Sequence, residues 1–180
     1  MPRRVPARAR LPSAVLVFVA LLASGCGYAF VRYHGSLGDV RRVAITTLKN
    51  DSYDAGLNTV VTDALVREFS RRGALVVVDD PSQADLVIGG RVLPLRTGGR
   101  SFTSVLLTLE YQVTLSLDLE VKRRDGSLVK IDPTAQTESE LFTASADLEA
   151  TRKNRDEALR RLSALLAGRV HDALFERLMP

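Results

Sequence analysis

The sequence predicts an α+β domain: two helices packed on one face of a mixed, roughly four-stranded β-sheet, a two-layer sandwich. Three observations carry this. Between residues 105 and 122, Val105, Leu107, Leu109, Tyr111, Val113, Leu115, Leu117, Leu119 and Val121 alternate with residues that are all polar except Leu106. That period of two marks one long strand with one buried and one wet face. Two other stretches place their apolar residues at helical spacing instead. The resulting order, β-α-β-β-β-β-α, buries every apolar stripe if both helices cover the same face of one sheet.

VRRVAITTL, residues 40–48, is β-branched and gives way to the polar cluster KNDSYDAG, a strand followed by a loop. In the next segment Leu57, Val60, Val61, Ala64, Leu65 and Phe69 share a helix face. Asn58 or Thr59 is the expected cap, Arg71 and Arg72 suit the negative end of the helix dipole, and Gly73 is the expected left-handed stop. ALVVVDD reads as a buried strand, PSQAD as a turn, and LVIGGRVLPL as a further strand with Pro94 near its end. RTGGRS is then a loop, with Gly89-Gly90 a strand bulge and Gly98-Gly99 a turn. The alternating strand is about 17 residues long, roughly 55 Å at ~3.3 Å per residue. At that length it must bend, contain a bulge or project beyond the sheet. Asp125-Gly126 signals a hairpin turn, and LVKI and ESELFTAS are strand candidates. The last helix is expected from Asn154 to Leu178, capped by Asn154, with Leu159, Leu162, Leu165, Leu166, Val170, Ala173, Leu174 and Leu178 as its apolar stripe. His171 is placed on its surface.

The N-terminus has a different character. Residues 1–10 carry four arginines and no acid, and residues 11–23 are almost wholly apolar. Thirteen residues are too few for a membrane span, which needs roughly 20. A basic start and a small-residue end fit a secretory signal. The run ends at Cys26, the one cysteine of the 180 residues. Ala23-Ser24-Gly25-Cys26 resembles the lipobox of bacterial lipoprotein signals, with the usual leucine one place early at Leu22. The resemblance implies cleavage after Gly25, a diacylglyceryl thioether on Cys26 and acylation (palmitate or similar) of the new N-terminus. Two or more acyl chains hold a protein on a membrane stably. Gly27 is not the aspartate that favours inner-membrane retention, so the outer membrane is expected. The chain then divides into a signal, 1–25, a lipidated N-terminus and tether, 26–39, and a single α/β sandwich domain, 40–180.

The formal charge of +4 does not point to nucleic acid. Four of the 25 basic residues lie in the leader and none of the 21 acidic ones, which leaves 21 of each in the mature chain. A polyanion-binding domain shows a net basic bias. Any basic site is therefore local.

The ordered set CGY, VRRVAITTLKNDSYDAGL, ALVREFSRRG, LVVVDDPSQADLVIGGRV, then Glu110-Tyr111-Gln112 leading into the long strand and NRDEALRRLSALLAGRV, resembles the lipopolysaccharide-assembly lipoprotein family, LptE. The likeness covers nearly the whole mature chain. It implies a two-helix, four-stranded sandwich that plugs the large outer-membrane β-barrel LptD on its periplasmic side, supports its folding and contacts lipopolysaccharide. Phosphates and carboxylates on that glycolipid call for exposed bases. The candidates are loop-borne: Arg96 and Arg100, then Lys122, Arg123 and Arg124 at the hairpin, then Arg152 and Lys153 before the last helix. The family tends to have a basic residue near Arg152.

No catalytic chemistry is readable. His34 and His171 have no nucleophile or orienting acid at a readable spacing, and G-x-S-x-G, H-E-x-x-H and P-loop motifs are absent from the sequence. No cofactor and no metal ligand set is expected. Two other outer-membrane lipoprotein classes share the opening strand and helix: activators of cell-wall synthases, and subunits of a secretion channel. A freely soluble periplasmic chaperone would require Cys26 to be unacylated.

Overall fold

The computed structural model describes residues 39–102 and 108–179. The expected signal, 1–25, Cys26, His34, the expected tether except Asp39, and Val105 to Leu107 lie outside the described residues.

Among the described residues, eight strands and two helices run in the order β1 (Arg42–Ile45), β2 (Lys49–Asn50), α1 (Leu57–Arg72), β3 (Val76–Val77), β4 (Leu86–Val92), β5 (Arg96–Phe102), β6 (Thr108–Arg123), β7 (Leu128–Val129), β8 (Thr137–Thr143) and α2 (Leu148–Leu178). The class is α+β with a mixed sheet. The expected four strands are corrected to eight, because the strands beside β4 and β6 are broken into successive pieces. β1 and β2 run one after the other, parallel to one side of β4, and β3 flanks β1. β4 and β5 run successively along one side of β6, and β7 and β8 along the other, all antiparallel.

The long strand is therefore spanned by two partners in succession on each side. The join on the β4–β5 side falls at Pro94, which has no N–H to give the ladder. Val92 lies opposite Leu117 and Arg96 opposite Thr114, so four steps along one strand match three along the other. The RTGGRS segment, expected as a loop, is strand β5, so Gly98-Gly99 is no turn. A second irregularity falls between Gly99 and Phe102. Gly89-Gly90 forms no bulge either: β4 pairs with β6 in unbroken register from Leu86 to Val92. Gly90 serves a close approach. Its φ is 139°, and a Cβ there would meet the Asp118 carbonyl oxygen at 2.1 Å.

One apolar cluster joins the elements. It holds Leu86, Ile88 and Val92 of β4, Val113, Leu115, Leu117 and Val121 of β6, Val61, Leu65 and Phe69 of α1, and Leu162, Leu166, Val170 and Leu174 of α2. The polar loop before α1 is folded on itself: Ser52 N–H and Oγ both donate to Asn50 Oδ1, and Asn50 Nδ2 donates to the Asp54 carbonyl. Gly56, left-handed at φ 79°, is the N-cap of α1, and Asn58 instead donates to the Leu48 carbonyl at 3.0 Å. Gly73 ends the helix in the left-handed conformation, as expected.

α2 starts six residues before the expected position. Asp147 caps it by accepting from the Glu149 N–H at 2.8 Å. Asn154 lies inside the helix and donates to the Thr143 carbonyl. Buried side chains begin only at Ala158 and follow two rows spaced by four: Leu162, Leu166, Val170, Leu174 and Leu178, beside Leu159, Ser163, Ala167, His171 and Phe175. Leu165 falls on neither row and is 52% exposed. His171, expected on the surface, is 1% exposed. Among the described residues no helix is long and apolar enough to cross a membrane.

Gly90→Ala is expected to destabilise the domain by about 3 kcal/mol or more, through backbone strain and overpacking together. Urea titration monitored by circular dichroism measures it, with Gly98→Ala as the control: nothing lies within 4 Å of a Cβ at position 98.

Candidate functional site

Because α2 begins ten residues before its first buried side chain, its opening turns overhang the sheet. Leu148, Thr151, Arg152 and Arg155 lie at i, i+3, i+4 and i+7, and so on one helix face. Together with Thr97 of β5, Tyr111 of β6 and Phe142 of β8 they line a groove of about 490 Å³. Register explains the floor: Tyr111 pairs opposite both Gly99 and Phe142, and Val113 opposite Thr97. By strand alternation Tyr111 and Val113 share the inward face. Val113 is buried under the helices, whereas Tyr111 lies beyond the core. The Tyr111 and Phe142 rings stack, with centroids 5.4 Å apart and planes 18° apart. Leu148 at the mouth is 83% exposed.

The rim is cationic. Arg155 forks onto Asp54, with Nη1 to Oδ1 at 2.6 Å and Nη2 to Oδ2 at 3.0 Å, which ties the start of α2 to the loop after β2. That hydrogen bonding pushes Arg155 above its usual pKa. Arg152 pairs with Glu149 at 2.7 Å, both mostly exposed. Lys153 is exposed and pairs with no described residue.

The seven expected bases fall into two sets. Arg152 and Lys153 stand within the first turns of α2, not before it. Arg96 and Arg100 are on β5 beside Thr97, not on a loop, and neither forms an ion pair with a described residue. Lys122 and Arg123 end β6, and Arg124 begins the turn. Eleven residues of strand, roughly 36 Å, separate Tyr111 from Lys122. The two sets do not form one site.

The second set is largely occupied. Asp85 accepts the backbone N–H groups of Arg41 and Arg42 at 2.9 Å each, and its other oxygen holds Arg124 at 2.8 Å. Those two N–H groups, the Arg41 one first, hold the carboxyl below its usual pKa against the effect of burial, and Arg124 and Arg42 add to it. Arg124 also donates to the carbonyls of Gln83 and Ala84. Lys122 meets Glu120 at 3.1 Å and Arg123 meets Asp39 at 3.6 Å. Arg124 is thus a clamp between β6 and the β1–β4 edge.

His171 has no catalytic geometry. Its ring stacks on Phe175 with centroids 4.2 Å apart and meets Phe69 edge-on at 5.0 Å. Burial lowers its pKa, partly offset by the Asp172 carboxylate 3.2 Å from Nδ1. Among the described residues no cluster of three or more His, Cys, Asp or Glu side chains could hold a metal ion. Sequence reasoning misses Thr97, Phe142, Leu148 and Arg155 as parts of a site. Tyr111 reads as core by its place in the alternation.

A mixed sheet covered by helices, with an apolar groove rimmed by arginines, defines the class of fold and site. The chain belongs to the lipopolysaccharide-assembly family LptE, whose model matches residues 40–174. That family is non-enzymatic. Among solved structures the chain is similar to the hypothetical protein CT253 of Chlamydia trachomatis, at 12% identity over 75% of this chain and 98% of that one, with a TM-score of 0.51. It is also similar to rare lipoprotein B of Shewanella oneidensis, at 16% identity over 71% and 92% of the chains, TM-score 0.45. A third similar structure is the PelC dodecamer of Paraburkholderia phytofirmans, at 15% identity over 73% and 89%, TM-score 0.42. No curated protein matches the chain.

Two measurements check these assignments. Arg124→Ala should lower stability by about 1 kcal/mol, the size of a partly exposed charge-assisted bond, while Arg152→Ala should leave the urea midpoint unchanged. The His171 proton bears on acid stability. Its native pKa lies below the ordinary 6.5, so the unfolded chain takes up a proton that the folded chain refuses. Stability should therefore fall as pH drops from about 6.5 toward the native value. Glu68, bonded to Arg71 and Arg72, has its pKa lowered to about 2, so its contribution is lost only below the ordinary 4.5. Urea midpoints at pH 7.5 and 5.5 should differ in the wild type and converge in His171→Phe.

Proposed function

We propose that this protein is a lipoprotein of the outer membrane in a Gram-negative bacterium, held at the periplasmic face by acyl chains on Cys26. In this reading residues 1–25 are the signal, 26–39 the tether and 40–180 the domain. The domain plugs the lipopolysaccharide-translocating β-barrel of LptD type, supports its assembly and contacts lipopolysaccharide in transit. Family membership over residues 40–174 is the observation that carries it.

The physical features support the reading. A plug needs a shaped, mostly polar exterior to meet a polar barrel lumen, and the outward face of β6 supplies one. Thr114 bonds Ser139 at 2.8 Å and Thr137 bonds Ser116 at 3.1 Å across that face. A glycolipid with phosphates and acyl chains needs bases beside apolar surface. Arg152 and Lys153 stand beside the groove, while Arg124 is committed to the fold. Arg96 and Arg100 extend the basic character along β5.

The partner is tested by pull-down of the C-terminally tagged protein from detergent-solubilised outer membranes, with mass spectrometry of the co-purifying proteins. A stoichiometric large barrel is expected. A penicillin-binding protein, or a ring of the chain alone, would move the function to cell-wall activation or secretion. The cargo contact is tested separately. Arg152→Glu with Lys153→Glu should weaken lipopolysaccharide binding at least tenfold with an unchanged circular dichroism melt. Full binding by the folded double variant would remove these two bases from the site.

A further inference from the structure

We propose that the groove at the start of α2 seats an acyl chain of the lipopolysaccharide cargo, with an anionic group of the same molecule on Arg152 and Lys153. The inference rests on the reading of lipopolysaccharide as the cargo and specifies which part of that molecule the domain holds.

The sheet is only partly covered at this end. Val113 and Leu115 of β6 lie under α2 and are fully buried. Two residues further along the same inward face, Tyr111 is only partly buried, and its stacked partner Phe142 is the last buried side chain of β8. α2 passes over this floor but offers no apolar residue to close it except Leu148, which remains 83% exposed. The helix is kept at that height by the Arg155–Asp54 fork, which also fixes where Arg152 emerges. The result is an apolar floor, an apolar mouth and guanidinium groups along one wall. At about 490 Å³ the groove falls within the range of small-ligand sites, roughly 300–1,000 Å³, which are mostly apolar with a few placed polar groups.

A headgroup alone does not call for such a lining. Sugars and phosphates are held by polar and charged side chains, and stacked aromatic rings beside an exposed leucine would gain nothing from them. An alkyl chain does gain, by removing Leu148 and the exposed part of Tyr111 from water, over a floor that Phe142 backs from below. The charges select the rest of the ligand. Lys153 is without an ion pair among the described residues, and the Arg152–Glu149 pair is exposed on both sides, so a phosphate or carboxylate can displace Glu149 from it. Charge complementarity together with the apolar floor fits an anionic amphiphile lying with its chain along Tyr111 and its charge toward Arg152, with Lys153 next to it in sequence.

The test uses the full-length lipoprotein in cells that make lipopolysaccharide. A photo-crosslinking amino acid replaces Leu148, and in a control it replaces Leu165, an exposed leucine of the same helix away from the groove. Both positions are solvent-exposed, so folding is not at stake. Irradiation should join lipopolysaccharide at 148 and not at 165, and mass spectrometry after hydrolytic release of the fatty acids should find the adduct on an acyl chain. With the probe moved to Thr97, Leu148→Glu should cut the yield at least tenfold while the barrel still co-purifies. An adduct on sugar or phosphate overturns the acyl-chain assignment and leaves the cargo reading standing. An adduct on the protein's own N-terminal acyl chains, or on another protein, overturns it as well. No lipopolysaccharide adduct from 148 or 97 overturns the assignment and the direct-contact reading together.

Discussion

Burial of one face of β6 is the constraint on which the rest of the structure depends. Sixteen residues of strand with an apolar inward face cannot stay in water on both sides. Both edges of the strand are paired in succession, by β4 and β5 on one side and by β7 and β8 on the other. The inward face lies under α2, and the apolar stripe of α1 packs beside α2 over β1, β2 and β4. Once Val113, Leu115, Leu117 and Val121 are under the helices, the neighbouring strands have their faces assigned by register. Glu138 and Glu140 of β8 then share the inward face with Leu115 and Val113, and Arg169 and Arg161 of α2 reach down to them at 2.6 and 2.8 Å. On the other flank Arg72 bridges Glu68 and Asp172. Exposed pairs of this kind are worth about 0–1 kcal/mol each. They set where α2 lies, and the apolar rows hold it there.

The groove is a consequence of two lengths that do not match. β6 extends past the buried part of α2, and α2 extends past its own last buried turn in the same direction. Neither surplus covers the other fully, so Tyr111, Phe142 and Leu148 meet without closing. Phe142 is buried, whereas Leu148 and part of Tyr111 stay in water, although a large apolar side chain gains about 1.5–3 kcal/mol by full burial. Leaving them open beside Arg152 and Lys153 makes sense for a domain that handles an amphiphile.

The charge distribution obeys the same division. In residues 26–180, 21 bases are balanced by 21 acids, and many are spent on one another. The Asp85 clamp shows this most fully, since it takes two backbone N–H groups and the Arg124 side chain at once. Bases without an ion pair among the described residues include Arg96 and Arg100 on β5 and Lys153 near the start of α2, and also Lys49, Arg67, Lys130, Arg160 and Arg177 elsewhere.

Periodicity makes the fold class legible in the sequence. The alternation from residue 105 to 122 belongs to a single strand, and the helical spacing of Leu57 to Phe69 to a single helix, so each face can be read locally. Gly73 as a helix stop needs only its own left-handed backbone. Other features need partners far along the chain. Asp147 is as good a cap by residue type as Asn154, but the apolar stripe begins only at Ala158, so the helix read from its stripe starts late. His171 lies off a stripe read at 3.6-residue spacing, yet on an i±4 row it falls between Phe69 and Phe175. Arg96 and Arg100 look like loop bases because two glycines flatten any strand signal, and pairing with β6 makes them strand. Sequence by itself determined which faces are apolar, because that pattern is carried by neighbours within a few residues. Tertiary structure alone decided which arginines are free and where a groove stays open, because Asp54 and Arg155 stand 101 residues apart and the floor is assembled from three strands and a helix.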